Sequence, residues 1–212
     1  MAGPARRAVE MEIAMWRSLV RWLLRRPAPL SAGDVPFPYL GVVKPILGIF
    51  IALSIVEIPI LDLVIRKVVP WQPARWIMLV ISIWGLLWML GLYAGMRINP
   101  HVVGAAGIQV RMGPTLGFTI AWADVESATR RHRTMPSAKS VQIEDDALHI
   151  VAGSQTSVDL RLRRPMTFHL PNGETPAVQD VRVYADDPDA FVRKAREVRA
   201  SAGARKNRPA GG

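Results

Sequence analysis

Two carboxylates and a proline lie inside the most apolar stretch of this 212-residue chain. The decapeptide IVEIPILDLV contains Glu57, Pro59 and Asp62. An acid in such a segment can pair with a cation, or it can be protonated and then take part in hydrogen bonding or proton transfer. Arg66 follows Asp62 by one helical turn, in the favourable acid-before-base order, so we interpret Asp62 as structural.

Glu57 has no cation one turn away. Helical rise places it about 16 Å into the apolar segment that begins at Ile46, where an unpaired charge costs at least about 2.5 kcal/mol. One hypothesis is local satisfaction: a protonated Glu57 donates to a carbonyl that Pro59 leaves unpaired, or meets the indoles of Trp84 and Trp88. The alternatives are contact with a partner protein or a second copy, and a proton or ion path in an oligomer.

Small residues predict where the two apolar segments touch. They are Gly48 and Ala52 on the first segment and Gly91 and Gly95 on the second. A hairpin closed on this seam lets the backbones approach and points Glu57 away from the partner helix, since Glu57 is about 180° from Gly48. Glu57 and Asp62 are about 140° apart, which disfavours a paired-carboxylate metal or acid–base site.

The elements that carry these residues are two segments of membrane-spanning length, Ile46–Ile65 and Trp76–Met96. About 20 residues of helix span about 30 Å, the thickness of a hydrocarbon core. A short link with two prolines joins them, so residues 41–98 are predicted to form an antiparallel transmembrane hairpin. Basic residues are more numerous beside the outer ends than in the link, which predicts an inner (plasma) membrane protein with both termini cytoplasmic.

The N-terminal segment, residues 1–40, contains an amphipathic helix at about 10–26. Its predicted apolar face consists of Ile13, Trp16, Val20 and Leu23, and its basic face of Arg17, Arg21 and Arg25. Arginine interrupts the apolar residues too often for a span, so we expect this helix to lie among anionic lipid headgroups. Docking onto the soluble part of the chain is the alternative.

After Asn99 the sequence changes to short β-type runs separated by turn residues. The run SVDLRLR alternates Val158, Leu160 and Leu162 with charged residues, which predicts an antiparallel sheet with one wet face. A C-terminal helix follows, capped by Asp186 or Asp187, with Pro188 at its first position. Its inward stripe is predicted to be Phe191, Ala195 and Val198, and residues 202–212 are predicted to be a disordered basic tail.

The wording of three stretches carries a family resemblance: GIQVRMG, IAWADVESA and VRVYADDPDAFVRKARE. They resemble bacterial membrane-anchored PH-like (pleckstrin-homology-like) domain proteins of uncharacterised function. The resemblance covers residues 99–201 and, as an arrangement, the preceding hairpin. It implies an α+β membrane protein whose PH-like antiparallel β-barrel or sandwich, closed by a C-terminal helix, is a binding or assembly module without catalytic residues.

The net charge of +10 favours anionic lipid over nucleic acid, because no nucleic-acid-binding motif accompanies it. The densest basic run, with Arg130, Arg131, Arg133 and nearby Lys139, is predicted to be a strand-connecting loop that binds headgroups; solvated loop charge is the alternative. Arg161, Arg163 and Arg164 are interpreted as protecting a sheet edge.

The chain has no cysteine and no nucleophile, phosphate-loop or zinc pattern. We therefore expect no enzyme activity, no cofactor and no metal. The sequence predicts a scaffold or accessory protein that binds lipid, a membrane protein partner, or both.

Overall fold

The computed structural model describes residues 4–26, 30–69, 71–137, 139–171 and 173–206. The part of the chain within these ranges forms an α+β structure with four helices. The helices are α1 (Pro4–Leu23), α2 (Val43–Val68), α3 (Gln72–Ile98) and α4 (Pro188–Lys206). Two of them, α2 and α3, are long and apolar enough to cross a membrane.

Two sheets form the β domain. The first has the order β1–β2–β3–β4 and is antiparallel throughout, and the second has the order β5–β8–β11–β7–β6. The strands are β1 (Val35–Phe37), β2 (His101–Gly104), β3 (Gly107–Met112), β4 (Leu116–Ile120), β5 (Val125–Thr134), β6 (Val141–Glu144), β7 (Ala147–Ile150), β8 (Gln155–Met166), β9 (His169–Leu170), β10 (Gly173–Glu174) and β11 (Val178–Val183). Strands β9 and β10 pair only with each other in the described structure.

The sequence predicts an antiparallel β-barrel or sandwich, and the structure corrects this prediction in two respects. Strand β11 pairs with β7 in parallel, because the chain returns through β8, β9 and β10 before it enters the sheet between β8 and β7. Among the described strands β4 and β6 each end a sheet, so the two sheets stay separate and no closed barrel forms.

Alternation along β8 is confirmed. Val158, Leu160 and Leu162 are fully buried and face the core between the two sheets. Helix α4 completes this core as predicted: the backbone N–H of Ala190 donates to Asp187 Oδ1 at 2.9 Å, and Phe191 is fully buried. The core of the β domain is therefore formed by strands whose alternate side chains point inward and by one capped helix.

The C-terminal end of α4 corrects one predicted boundary. Helix α4 continues to Lys206, so the first part of the predicted tail, residues 202–206, is helical. Residues 207–212 lie outside the described residues.

The apolar helices are inserted between two neighbouring strands of the first sheet. Strand β1 precedes α2, β2 follows α3, and the two strands pair antiparallel with Val35 opposite Val103 and Phe37 opposite His101. The predicted domain boundary at residue 99 is therefore wrong, because β1 belongs to the same sheet as the strands that follow the hairpin. Three residues without an alternating hydrophobic pattern do not predict a strand, and the partner of this strand lies beyond two helices.

Short contacts fix the base of α2 to the β domain. The hydroxyl of fully buried Tyr39 accepts a hydrogen bond from the Gly113 N–H at 2.7 Å. The Gly41 N–H donates to Asp186 Oδ1 at 2.7 Å, and the Asp186 N–H donates to the Pro38 carbonyl at 2.9 Å. The hairpin is thus joined to the domain by hydrogen bonds from the short segment between β1 and α2.

Candidate functional site

Helix α1 packs against the end of α3 that adjoins the β domain. A Cβ added at Gly91 would lie 3.5 Å from the Met15 carbonyl oxygen, in ordinary van der Waals contact, so the two helices leave little room for a larger side chain there. The Trp16 ring meets the Trp84 ring edge-on at 5.1 Å between centroids. The alternative that α1 docks onto the soluble part of the chain is wrong about the partner: α1 docks by one face, but onto the apolar helix α3.

Helix α1 has three faces. Met15, Ser18 and Leu19 are buried, and this docked face is not the one that the sequence predicted. The predicted apolar face stays largely uncovered: Ile13 is 51% exposed and Leu23 is 69% exposed. Further large exposed apolar residues on this face are Val9, Val20 and Leu24. Of the predicted basic face, Arg17 and Arg21 lie beside this stripe one turn apart, whereas Arg25 lies beyond the end of α1 at Leu23.

The predicted basic loop is wrong, because Arg130, Arg131 and Arg133 lie in strand β5. Arg133 Nη1 lies 2.6 Å from Asp159 Oδ1, and Arg130 Nη1 lies 2.8 Å from Asp189 Oδ2. Acids on β8 and α4 therefore offset two of the charges that were expected to face headgroups. Arg131 and Lys139 are exposed, and neither forms an ion pair with another described residue.

The edge interpretation of Arg161, Arg163 and Arg164 is also wrong. Strand β8 lies between β5 and β11, so these residues stand on an interior strand. Arg161 Nη1 is 3.1 Å from Asp180 Oδ2, and Arg164 Nη2 is 3.1 Å from Asp124 Oδ1. The outer face of the second sheet is therefore a set of cross-strand ion pairs rather than a positive patch.

Glu57 lines a groove between α2 and α3 of about 380 Å³. The other polar side chains of the groove are Ser54 and Ser82, one from each helix. Glu57 therefore does not point away from α3, which corrects the predicted orientation. No hydrogen bond or ion pair joins its carboxylate to another described side chain, including Trp84 and Trp88. Ser54 precedes Glu57 by three residues, so helical spacing was the sequence signal that could have placed Ser54 beside Glu57.

The predicted small-residue seam is not formed. An added Cβ at Gly48 would meet nothing within 4 Å, and Ala52 is exposed. Gly91 faces α1, and an added Cβ at Gly95 would lie 3.2 Å from Pro114. The less exposed residues of α2 instead include Leu47, Ile51, Ser54, Ile58, Leu61 and Ile65. This alternating spacing of four and three residues is that of two helices packed along one seam.

Asp62 joins the far ends of the two apolar helices. The predicted neighbour Arg66 lies 3.8 Å away, but Arg75 at the start of α3 is closer and contacts both carboxylate oxygens, at 2.6 and 2.9 Å. The structural interpretation of Asp62 is supported, with the main partner across the link rather than one turn away. The bidentate geometry favours arginine at position 75.

The histidines offer no metal site. His149 is a buried residue of β7, and His169 lies in β9. The described part of the chain contains no group of three or more His, Cys, Asp or Glu side chains arranged to hold a metal ion.

Comparison with known proteins found no matching family model, no matching curated protein and no matching solved structure. The proposals that follow therefore rest on the geometry and charge of this chain alone.

Proposed function

We propose that this chain is a membrane-anchored scaffold or accessory protein. In this proposal α2 and α3 cross the plasma membrane, both termini are cytoplasmic, and the β domain is a PH-like binding module at the inner surface. The pairing of β1 with β2 carries the proposal. Because the hairpin leaves and re-enters one sheet, the β domain must sit directly at its base and on one side of the bilayer.

The three faces of α1 support this placement. The docked face fixes the helix beside the lower end of α3, and the uncovered apolar stripe of Val9, Ile13, Val20 and Leu23 needs a partner surface. A helix with such a stripe beside a row of arginines suits the boundary between headgroups and acyl chains. The binding partner of the β domain would then meet it at the membrane surface.

Single-cysteine labelling tests the topology, and the chain has no cysteine of its own. Gln72→Cys, at the link, is expected to react with a membrane-impermeant maleimide in intact cells. Thr129→Cys and Ser31→Cys, both at exposed positions, are expected to react only after permeabilisation. Labelling of Thr129→Cys in intact cells, or a protein that stays soluble without detergent, would contradict the proposal.

Purification in mild detergent followed by mass spectrometry tests the accessory role. We expect the chain to retain a membrane protein partner or to form an oligomer. A chain recovered alone and monomeric would remove the accessory role.

The Glu57 groove favours a second candidate, an oligomer that moves protons or ions. A carboxyl group next to two hydroxyls, in the middle of an apolar hairpin, is the kind of group that lines such paths. Glu57→Gln in proteoliposomes distinguishes the two functions, with Glu144→Gln on the β domain as the matched control. Loss of pH-driven flux in Glu57→Gln, with flux retained in wild type and in Glu144→Gln, supports transport. Absence of flux in wild type and in both variants, with normal assembly, supports the scaffold.

A further inference from the structure

A cavity lined in part by arginines lies where α1 ends, α3 ends and the first sheet begins. Its volume is about 450 Å³. The described residues that line it are Trp22, Arg25, Arg26, Leu30, Pro36, Arg97, Ile98 and Pro100. Three arginines therefore converge on a cavity whose other described walls are apolar.

These three arginines lack anionic partners in the described structure. Arg25, Arg26 and Arg97 are exposed, none forms an ion pair with a described carboxylate, and no described acid lines the cavity. Arg130 and Arg133, in contrast, are each paired with an aspartate. Planar guanidinium groups donate two hydrogen bonds at once to phosphate oxygens, so an unpaired cluster of arginines selects a phosphate oxyanion.

The backbone of Arg25 is a second, independent observation. The Arg26 N–H donates to the Arg21 carbonyl at 2.8 Å and the Arg25 N–H to the Trp22 carbonyl at 3.0 Å, which is the hydrogen-bond pattern of a Schellman cap. Arg25 occupies the left-handed position of this cap, with φ 52°, where glycine is ordinarily favoured. This cap turns the chain at the end of α1, so that Arg25 and Arg26 both line the cavity beside Arg97.

The position of the cavity indicates the source of the phosphate. Arg97 lies in the last turn of α3. Trp22 packs edge-on against Tyr93 of α3, at 5.9 Å between ring centroids. The exposed apolar stripe lies on α1, the element that Trp22 also belongs to. In the proposed topology this is the level of the headgroups, with Trp22 at the boundary with the acyl chains.

We propose that this cavity binds the phosphate of an anionic phospholipid from the cytoplasmic leaflet. The lipid site thus lies at the junction of α1 and α3, and not on the β-domain residues Arg131 and Lys139. The inference rests on the proposed membrane topology, and it names the lipid contact that this topology brings into reach.

Native mass spectrometry of the full chain in detergent tests the site, with titration of phosphatidylglycerol against phosphatidylcholine. Wild type is expected to bind the first phosphatidylglycerol more tightly than phosphatidylcholine. Arg25→Gly keeps the cap but removes the guanidinium, and should weaken phosphatidylglycerol binding about fivefold. Adding Arg26→Gln and Arg97→Gln should remove the preference for the anionic lipid.

A charge-matched control removes Arg131, Lys139 and Arg193, which are exposed on the β domain, by substitution to glutamine. This variant should bind phosphatidylglycerol as wild type does. If it loses the preference and the cavity variants keep it, the inference is overturned while the proposed topology stands. Inorganic phosphate alone should leave no adduct; a retained phosphate adduct that the cavity variants lose would overturn the assignment to lipid. Failure of the cysteine map would instead overturn the topology.

Discussion

At the scale of single residues, the best-defined polar group is His101, the first residue of β2. Its fully buried ring stacks on Tyr39 at 4.8 Å between centroids. Nε2–H donates to the Tyr184 carbonyl at 3.0 Å, and Nδ1 accepts from the Arg111 N–H at 3.1 Å. Burial lowers the pKa of His101 to about 4, and the neutral ring is the form that can accept at Nδ1.

Acid should therefore destabilise the junction between hairpin and β domain. The folded pKa of about 4 lies below the unfolded value of about 6.5, so the unfolded chain takes up the proton first. The contribution of His101 is complete above about pH 6.5 and falls, by up to about 3 kcal/mol, as the pH is lowered toward 4. Hydrogen exchange of residues 101–112 between pH 7 and 4.5, converted to the free energy of opening, measures it.

The control for this prediction is His132→Gln, because His132 is exposed on β5. It should keep the wild-type pH dependence, whereas His101→Gln should flatten it. An equal pH dependence in wild type and His101→Gln would contradict the prediction.

Local sequence indicated neither the role of His101 nor the pairing of the basic run. The groups that hydrogen-bond to His101 come from β3 and from the residue after β11, and the acids that pair with Arg130 and Arg133 follow on α4 and β8, respectively. A run of like charges is predicted to be an exposed loop when the acids that pair with it are far away in the sequence. The cap of α4 was predictable because Asp187 and Pro188 lie next to the helix that they begin.

At the scale of elements, the contact between α1 and α3 leaves little room beyond a Cβ at Gly91. The sequence identified Gly91 as a packing residue, but it predicted α2 as the helix that packs against it, whereas the structure has α1 there. Amphipathic spacing shows that a face is apolar but not which element covers it. The lengths of α2 and α3 were predictable from hydropathy. Their rotation about one another was not, because Leu, Ile and Val occupy most faces of both helices.

Gly91→Leu should release α1. A larger side chain must displace the Met15 backbone, and overpacking costs about 1–3 kcal/mol. Trypsin cleavage after Arg17, which requires α1 to open, should then be about tenfold faster in detergent. Gly85→Leu is the matched control, because an added Cβ at Gly85 meets nothing within 4 Å. Equal cleavage rates in the two variants would show that α1 is held elsewhere.

At the scale of the whole molecule, β1 joins the β domain to the apolar helices α2 and α3. Phe37 is buried in the core of the β domain, against Phe191 of α4 at 5.0 Å between ring centroids. One short strand therefore binds the chain before the hairpin to the last helix of the domain. The predicted two-part organisation missed this connection, because hydrophobic alternation is not visible over the three residues of β1.

Phe37→Ala should lower the free energy of unfolding of the β domain by about 3–5 kcal/mol, since it removes a buried ring and leaves a cavity. Global hydrogen exchange of β2 and β3 in detergent measures the change. Pro36→Ala, on the exposed side of the same strand, should change it by no more than about 0.5 kcal/mol. A Phe37→Ala variant with wild-type exchange would mean that β1 is peripheral to the domain.

The insertion of the hairpin between β1 and β2 also dictates an order of biogenesis. Strand β1 leaves the ribosome before α2 and α3, and its partner β2 follows them. The first sheet cannot be completed until both helices have been synthesised. In the proposed topology, insertion of the hairpin into the bilayer comes before the β domain can finish folding, and a chain stalled in the link would expose β1 without its partner strand.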